Sequence, residues 1–69
     1  MDTAELKKKL MVVRQALDLM DIRMVDKIMG ELEDAKFSED IEEAIESISD
    51  DILIFEYERA IQMIDKLTA

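Results

Sequence analysis

Carboxylates are the only abundant side chains here with which chemistry could be done. The chain has 18 Asp and Glu among 69 residues, and no histidine or cysteine. General acid–base catalysis needs a carboxylate pair, or a titratable partner, in a pocket that shifts its pKa. Glu42, Glu43 and Glu46 instead lie between Ile41, Ile45 and Ile48 at helical spacing, which turns most of them to water. No carboxylate is expected on an apolar stripe. Without histidine or cysteine there are no disulfides, no thiolate nucleophiles and no zinc site built on nitrogen or sulfur. There is no Asp-x-Asp-x-Asp-Gly calcium loop, no Glu-x-x-His di-iron pattern and no glycine-rich phosphate loop. Nor does any Ser or Thr have a base partner. The expectation is a non-catalytic chain with no catalytic, cofactor-binding or metal-binding residue, and with no cofactor.

The elements that carry these acids follow from the apolar spacing. Leu6, Leu10, Val13, Leu17 and Met20 step by four, three, four and three, which is one face of a helix. Asp2 and Glu5 resemble a capping pair at its start. A second stripe runs through Ile22, Val25, Ile28, Met29 and Leu32, with Asp21 as N-cap and Met20 and Val25 placed as a hydrophobic staple. The third is Ile41, Ala44, Ile45, Ile48, Ile52 and Phe55, capped by Ser38, with Glu39 and Asp40 at the positive end of its dipole. Tyr57, Ala60, Ile61, Ile64 and Leu67 make the fourth. Alternation of period two is absent. The fold class is therefore all-α: four short helices as two related hairpins in a compact bundle. One hairpin covers about residues 3–35 and the other about 38–68.

The halves align at an offset of 35 residues. Leu17-Asp18-Leu19-Met20-Asp21-Ile22 falls over Ile52-Leu53-Ile54-Phe55-Glu56-Tyr57, and Val25, Ile28, Met29 and Leu32 fall over Ala60, Met63, Ile64 and Leu67. Each unit is a helix, a tight corner of apolar–acid–apolar form, and a second helix. Two copies of a helix pair point to a compact bundle or to further units beyond this chain, since such repeats usually need about three copies for stability.

Charge bounds the partners. Residues 1–36 hold seven Lys/Arg against eight Asp/Glu, and residues 37–69 hold two against ten, so nearly all of the net charge of −9 sits in the second half. Such a surface is repelled by phosphate backbones and anionic lipid, which disfavours nucleic-acid and membrane binding. No run approaches the roughly 20 apolar residues of a membrane span. The N-terminal acids do not read as a signal peptide, so the expected location is the cytoplasm. Leu10-Met11-Val12-Val13 and Ile52-Leu53-Ile54-Phe55 cover more of the helix circumference than one stripe needs. Met11, Val12, Leu53 and Ile54 are the candidate contact surface, or else the first and third helices are central and buried on two sides. Met20, Met29 and Met63 are expected in the core, with Met11 and Met24 beside it.

The segments LDLMDIRMVDKIMGEL (residues 17–32) and ILIFEYERAIQMIDKL (residues 52–67) resemble the tandem helical tails of hybrid sensor histidine kinases and related bacterial two-component signalling proteins. Those tails often follow receiver or histidine phosphotransfer domains. The resemblance spans about residues 6–67 and implies scaffolding. The missing histidine departs from a true phosphotransfer domain. It implies an accessory interaction domain of a signalling protein, docking by a helix face through Met11, Val12, Leu53 and Ile54. The acids Glu39, Glu42, Glu43 and Glu46 would then select the partner by charge. The alternatives are a homodimerising bundle and a degenerate phosphotransfer domain that binds receivers without accepting phosphate.

Overall fold

The computed structural model describes residues 2–69 and has four helices: α1 (Thr3–Asp18), α2 (Ile22–Asp34), α3 (Glu39–Leu53) and α4 (Tyr57–Thr68). α1 packs on α2 and α4, and α3 packs on α4 and α2, while the pairs α1/α3 and α2/α4 make no close backbone approach. This is a four-membered ring of helices closed by the α1–α4 seam. The four residues joining α2 to α3 span at most about 17 Å, too short to run back beside α2, which is about 20 Å long. α3 therefore starts where α2 ends. The chain runs up, down, up and down, and both three-residue corners fall at one end of the bundle.

Those corners are the same structure built twice. In the first, the Asp21 N–H donates to the Ala16 carbonyl (2.8 Å) and the Met20 N–H to Leu17 (3.1 Å). In the second, Glu56 donates to Asp51 (2.8 Å) and Phe55 to Ile52 (3.1 Å). Each is a Schellman motif, which satisfies the last carbonyls of a helix by turning one residue into the left-handed region. Those residues are Met20 (φ 58°) and Phe55 (φ 63°), again 35 positions apart. The next residue begins the following helix. Asp21 does so with its carboxylate, which accepts from the Met24 N–H at 3.3 Å, just as Asp2 accepts from Glu5 at 2.8 Å at the start of α1. Ser38 stands at the N-cap of α3 but its hydroxyl makes no capping bond. Glu42 instead reaches back to accept from the Phe37 N–H at 3.4 Å.

The core repeats at the same offset. Leu10/Ile45, Val13/Ile48, Leu17/Ile52, Val25/Ala60 and Met29/Ile64 are all buried. Each large aliphatic side chain so buried is worth roughly 1.5–3 kcal/mol. Ile28, Ile41, Ile61, Met63 and Leu67 close the edges. The accessible surface is 4728 Å². Scaling for a folded monomer of this mass gives about 4,450 Å², so the chain is about as compact as a self-standing monomer.

Two stripe positions depart from the periodic reading. Met20 and Phe55 were expected at the ends of core stripes, yet both are exposed. The left-handed turn rotates their side chains away from the helix face that the spacing extrapolates. Met20 therefore does not fill the core.

The left-handed conformation costs an L-residue about 1–2 kcal/mol, a penalty that glycine escapes. Met20→Gly should therefore raise stability by about 1 kcal/mol, seen as several degrees in Tm by circular dichroism. A lower Tm would mean that the Met20 side chain holds the corner.

Candidate interaction surface

All eight sequence-derived surface residues, Met11, Val12, Leu53, Ile54, Glu39, Glu42, Glu43 and Glu46, are exposed. The alternative in which Met11, Val12, Leu53 and Ile54 are buried on two sides does not describe this bundle. The structure nevertheless divides them. Leu53 and Ile54 belong to the corner that ends α3. Met11 and Val12 lie mid-way along α1, the helix diagonal to α3. Val12 borders a shallow depression at the first corner with Gln15, Ala16, Leu19, Asp21 and Met24. The four acids form a row on α3, spaced three, one and three residues apart, that starts at the opposite end of the bundle from the corners.

The largest exposed apolar group is one the sequence reading missed in part. Leu19, Met20, Leu53, Ile54 and Phe55 are between 60% and 77% exposed, and all five lie in the two corners or directly beside them. Phe55 meets Tyr57 edge-on, with ring centroids 6.1 Å apart. Leu19, Met20 and Phe55 were hidden from periodicity because their positions read as stripe ends or as the apolar flank of a turn. The available signal was the corner itself, which is apolar where helix ends favour glycine or asparagine.

A second surface lies along α2 and α3. A groove of about 400 Å³ is lined by Leu32, Glu33, Ala35, Glu42, Ile45, Glu46, Ser49 and Asp50. Its two core residues, Leu32 and Ile45, are surrounded by four carboxylates. None of the four is in a salt bridge among the described residues.

The ion pairs present lie elsewhere. Lys9 bridges α1 to Glu31 of α2, and its ammonium, first by hydrogen bond and then by charge, holds the Glu31 carboxyl below its ordinary value. Arg14 reaches across the α1–α4 seam to Asp65 at 2.8 Å and back to Asp18 at 3.3 Å. The hydrogen bond and charge of Asp65 push the Arg14 guanidinium higher still. All these groups are solvated, so each pair contributes little to stability.

One acid corrects the expectation that every carboxylate avoids the apolar stripes. Asp51 is 8% exposed and occupies the position that Ala16 holds in the first hairpin. Its nearest cation is Arg59, at 3.9 Å from a carboxylate oxygen. No group of three or more acids that could hold a metal ion occurs among the described residues. Nor is any helix among them long and apolar enough to cross a membrane.

No protein-family model, curated protein sequence or solved structure matches this chain. The geometry itself defines a four-helix bundle with an apolar end and an acidic side groove.

Asp51 tests whether a half-paired acid at a core position stabilises the bundle. Asp has lower helix propensity than Ala, and a carboxylate near a helix C-terminus opposes the dipole. Asp51→Ala should therefore raise unfolding free energy in urea by about 1 kcal/mol. A loss of similar size would make the Asp51–Arg59 pair a structural clamp.

Proposed function

We propose that this chain is a non-catalytic docking module that binds another protein through the apolar end of its bundle. The observation that carries this reading is the exposure of Leu19, Met20, Leu53, Ile54 and Phe55 at two adjacent corners. Scattered exposed apolar residues are normal on any surface, but a cluster of five at one end is not. Two of the five also sit in left-handed backbone where glycine would be favoured. Keeping Met and Phe there costs stability, and such a cost is characteristic of residues retained for function.

The occupant is an apolar face of a different protein. A second copy would bring another net charge of −9 into contact, and the monomer is already compact by surface area. The resemblance of residues 17–32 and 52–67 to two-component signalling tails makes the parent signalling protein our candidate source of that face. Within this reading the chain is an accessory domain, and Val12 and Met24 extend the apolar end down one side.

The test places a photo-reactive phenylalanine analogue at position 55 in cells that express the chain. One discrete heterologous adduct, lost when Leu53→Glu is added, is the expected result. Leu53 is exposed, so the second change should leave helicity and Tm within experimental error. Adducts only to the chain itself would replace this reading with homodimerisation, and light scattering across a hundredfold concentration range would then show the dimer. No adduct would sink both.

A further inference from the structure

The chain has no cysteine, so methionine carries all of its sulfur. Among the described residues the structure sorts the methionines into two groups. Met29 is 5% exposed and fills the core position that Ile64 holds in the second hairpin, and Met63 packs half-buried against that core. Met20, Met11 and Met24 are instead 60%, 52% and 37% exposed. All three stand in the first hairpin. Shifting by 35 residues puts Glu46, Phe55 and Arg59 in the places of Met11, Met20 and Met24, so none of the three thioethers has a counterpart in the second hairpin. Met20 is turned outward by its left-handed backbone (φ 58°). Met24 follows the same corner: its N–H donates to the Asp21 cap, and it borders the depression shared by Val12 and Leu19. The apolar end thus has one corner with a thioether and one, Leu53-Ile54-Phe55, without.

From this we infer that Met20 and Met24 are a modification site, at which a peroxide oxidises the thioethers and so withdraws the apolar end from its partner. The effect on docking rests on the reading proposed above, while the selectivity of the oxidation stands on exposure. In the step, a sulfur lone pair attacks one oxygen of hydrogen peroxide. The S–O bond forms as the O–O bond breaks, the sulfur is oxidised by two electrons, and the other oxygen leaves with both protons as water. A flexible apolar side chain becomes a polar one, which disrupts methionine-rich contacts. At a core position the same change would break the packing, but Met29 is shielded by the helices around it. The fold is therefore arranged to lose a docking surface and keep its bundle. The change is also reversible, since a methionine sulfoxide reductase passes two electrons from a dithiol to the sulfoxide and its oxygen leaves as water. Met11 is a built-in comparison, because it is open to solvent but mid-way along α1 and away from the corners.

The probe is dilute hydrogen peroxide. Peptide mass mapping should find Met20 and Met24 oxidised roughly tenfold faster than Met29 or more. Tm should stay within experimental error, and retention of the chain on a phenyl matrix should fall. The chain carrying the photo-reactive analogue at position 55, treated and then freed of peroxide, should give roughly tenfold less heterologous adduct in cell extract. Burying a side chain of this size in a contact is worth about that factor. Sulfoxide reductase with a dithiol should restore retention and adduct. Met20→Leu with Met24→Leu, compared with itself before and after peroxide, should lose the response, whereas Met11→Leu should respond as the wild type does. Should the Leu pair prove unfolded, the reductase step on the wild-type chain carries the same decision. Oxidation of Met29 as fast as Met20, or loss of helicity with oxidation, would overturn the inference. So would retention and adduct unchanged once Met20 is oxidised, or a folded Leu pair that still responds. An untreated chain that gives no adduct would instead remove the docking reading, and the switch with it, which mapping and retention on the chain alone keep distinct from failure of the oxidation site.

Discussion

The Schellman turn that ends α1 and α3 is the constraint on which the rest of this molecule depends. A chain without proline and with one glycine has no residue that breaks a helix by its own backbone chemistry. Each reversal at a corner must instead come from a six-to-one hydrogen bond and one residue forced to positive φ. That turn fixes the antiparallel order of each hairpin and delivers an acidic residue to the start of the next helix. The same geometry also pushes a large apolar side chain into solvent. The apolar end is thus a direct product of how the chain turns, which is why structural and functional arguments meet at Met20 and Phe55.

Duplication then governs what varies. Five core pairs keep the interior aliphatic in both halves, so the two hairpins close against each other with a common set of contacts. The surface is free to diverge at matched positions. Arg14 and Asp65 pair across one seam, while the matched positions in the other hold Ser49 and Gly30. Ala16 becomes Asp51, and Met11 becomes the groove acid Glu46. The net charge of the second half is the accumulated result. One scaffold therefore presents an apolar end and an acidic side, two surfaces with different chemical demands on whatever meets them.

Most of the fold was legible in the sequence, because an amphipathic helix is written in its apolar spacing and an N-cap in one residue. Asp2 and Asp21 cap as their positions imply. The candidate surface was legible only in part. Leu53, Ile54, Met11 and Val12 could be identified as surplus apolar residues, since a helix needs one stripe and these lie off it. Spacing carries no information on which surplus residues share a patch, and the structure assigns them to different parts of the bundle. Periodicity also fails at a left-handed residue, because one positive φ breaks the 3.6-residue rotation that the pattern assumes. Met20 and Phe55 were consequently read as core.

By itself, then, the sequence determined the helical class, the four elements, the repeat, the charge asymmetry and the want of histidine and cysteine chemistry. These are local or additive properties, set by residue type and by neighbours within a turn or two. Only the tertiary structure decided that both corners share an end, that Asp51 is drawn into the core, and that Arg14 and Asp65 meet across the α1–α4 seam. Each of those depends on residues far apart in the chain meeting across a helix seam. No local pattern encodes that meeting, because it is fixed by the packing of the whole core.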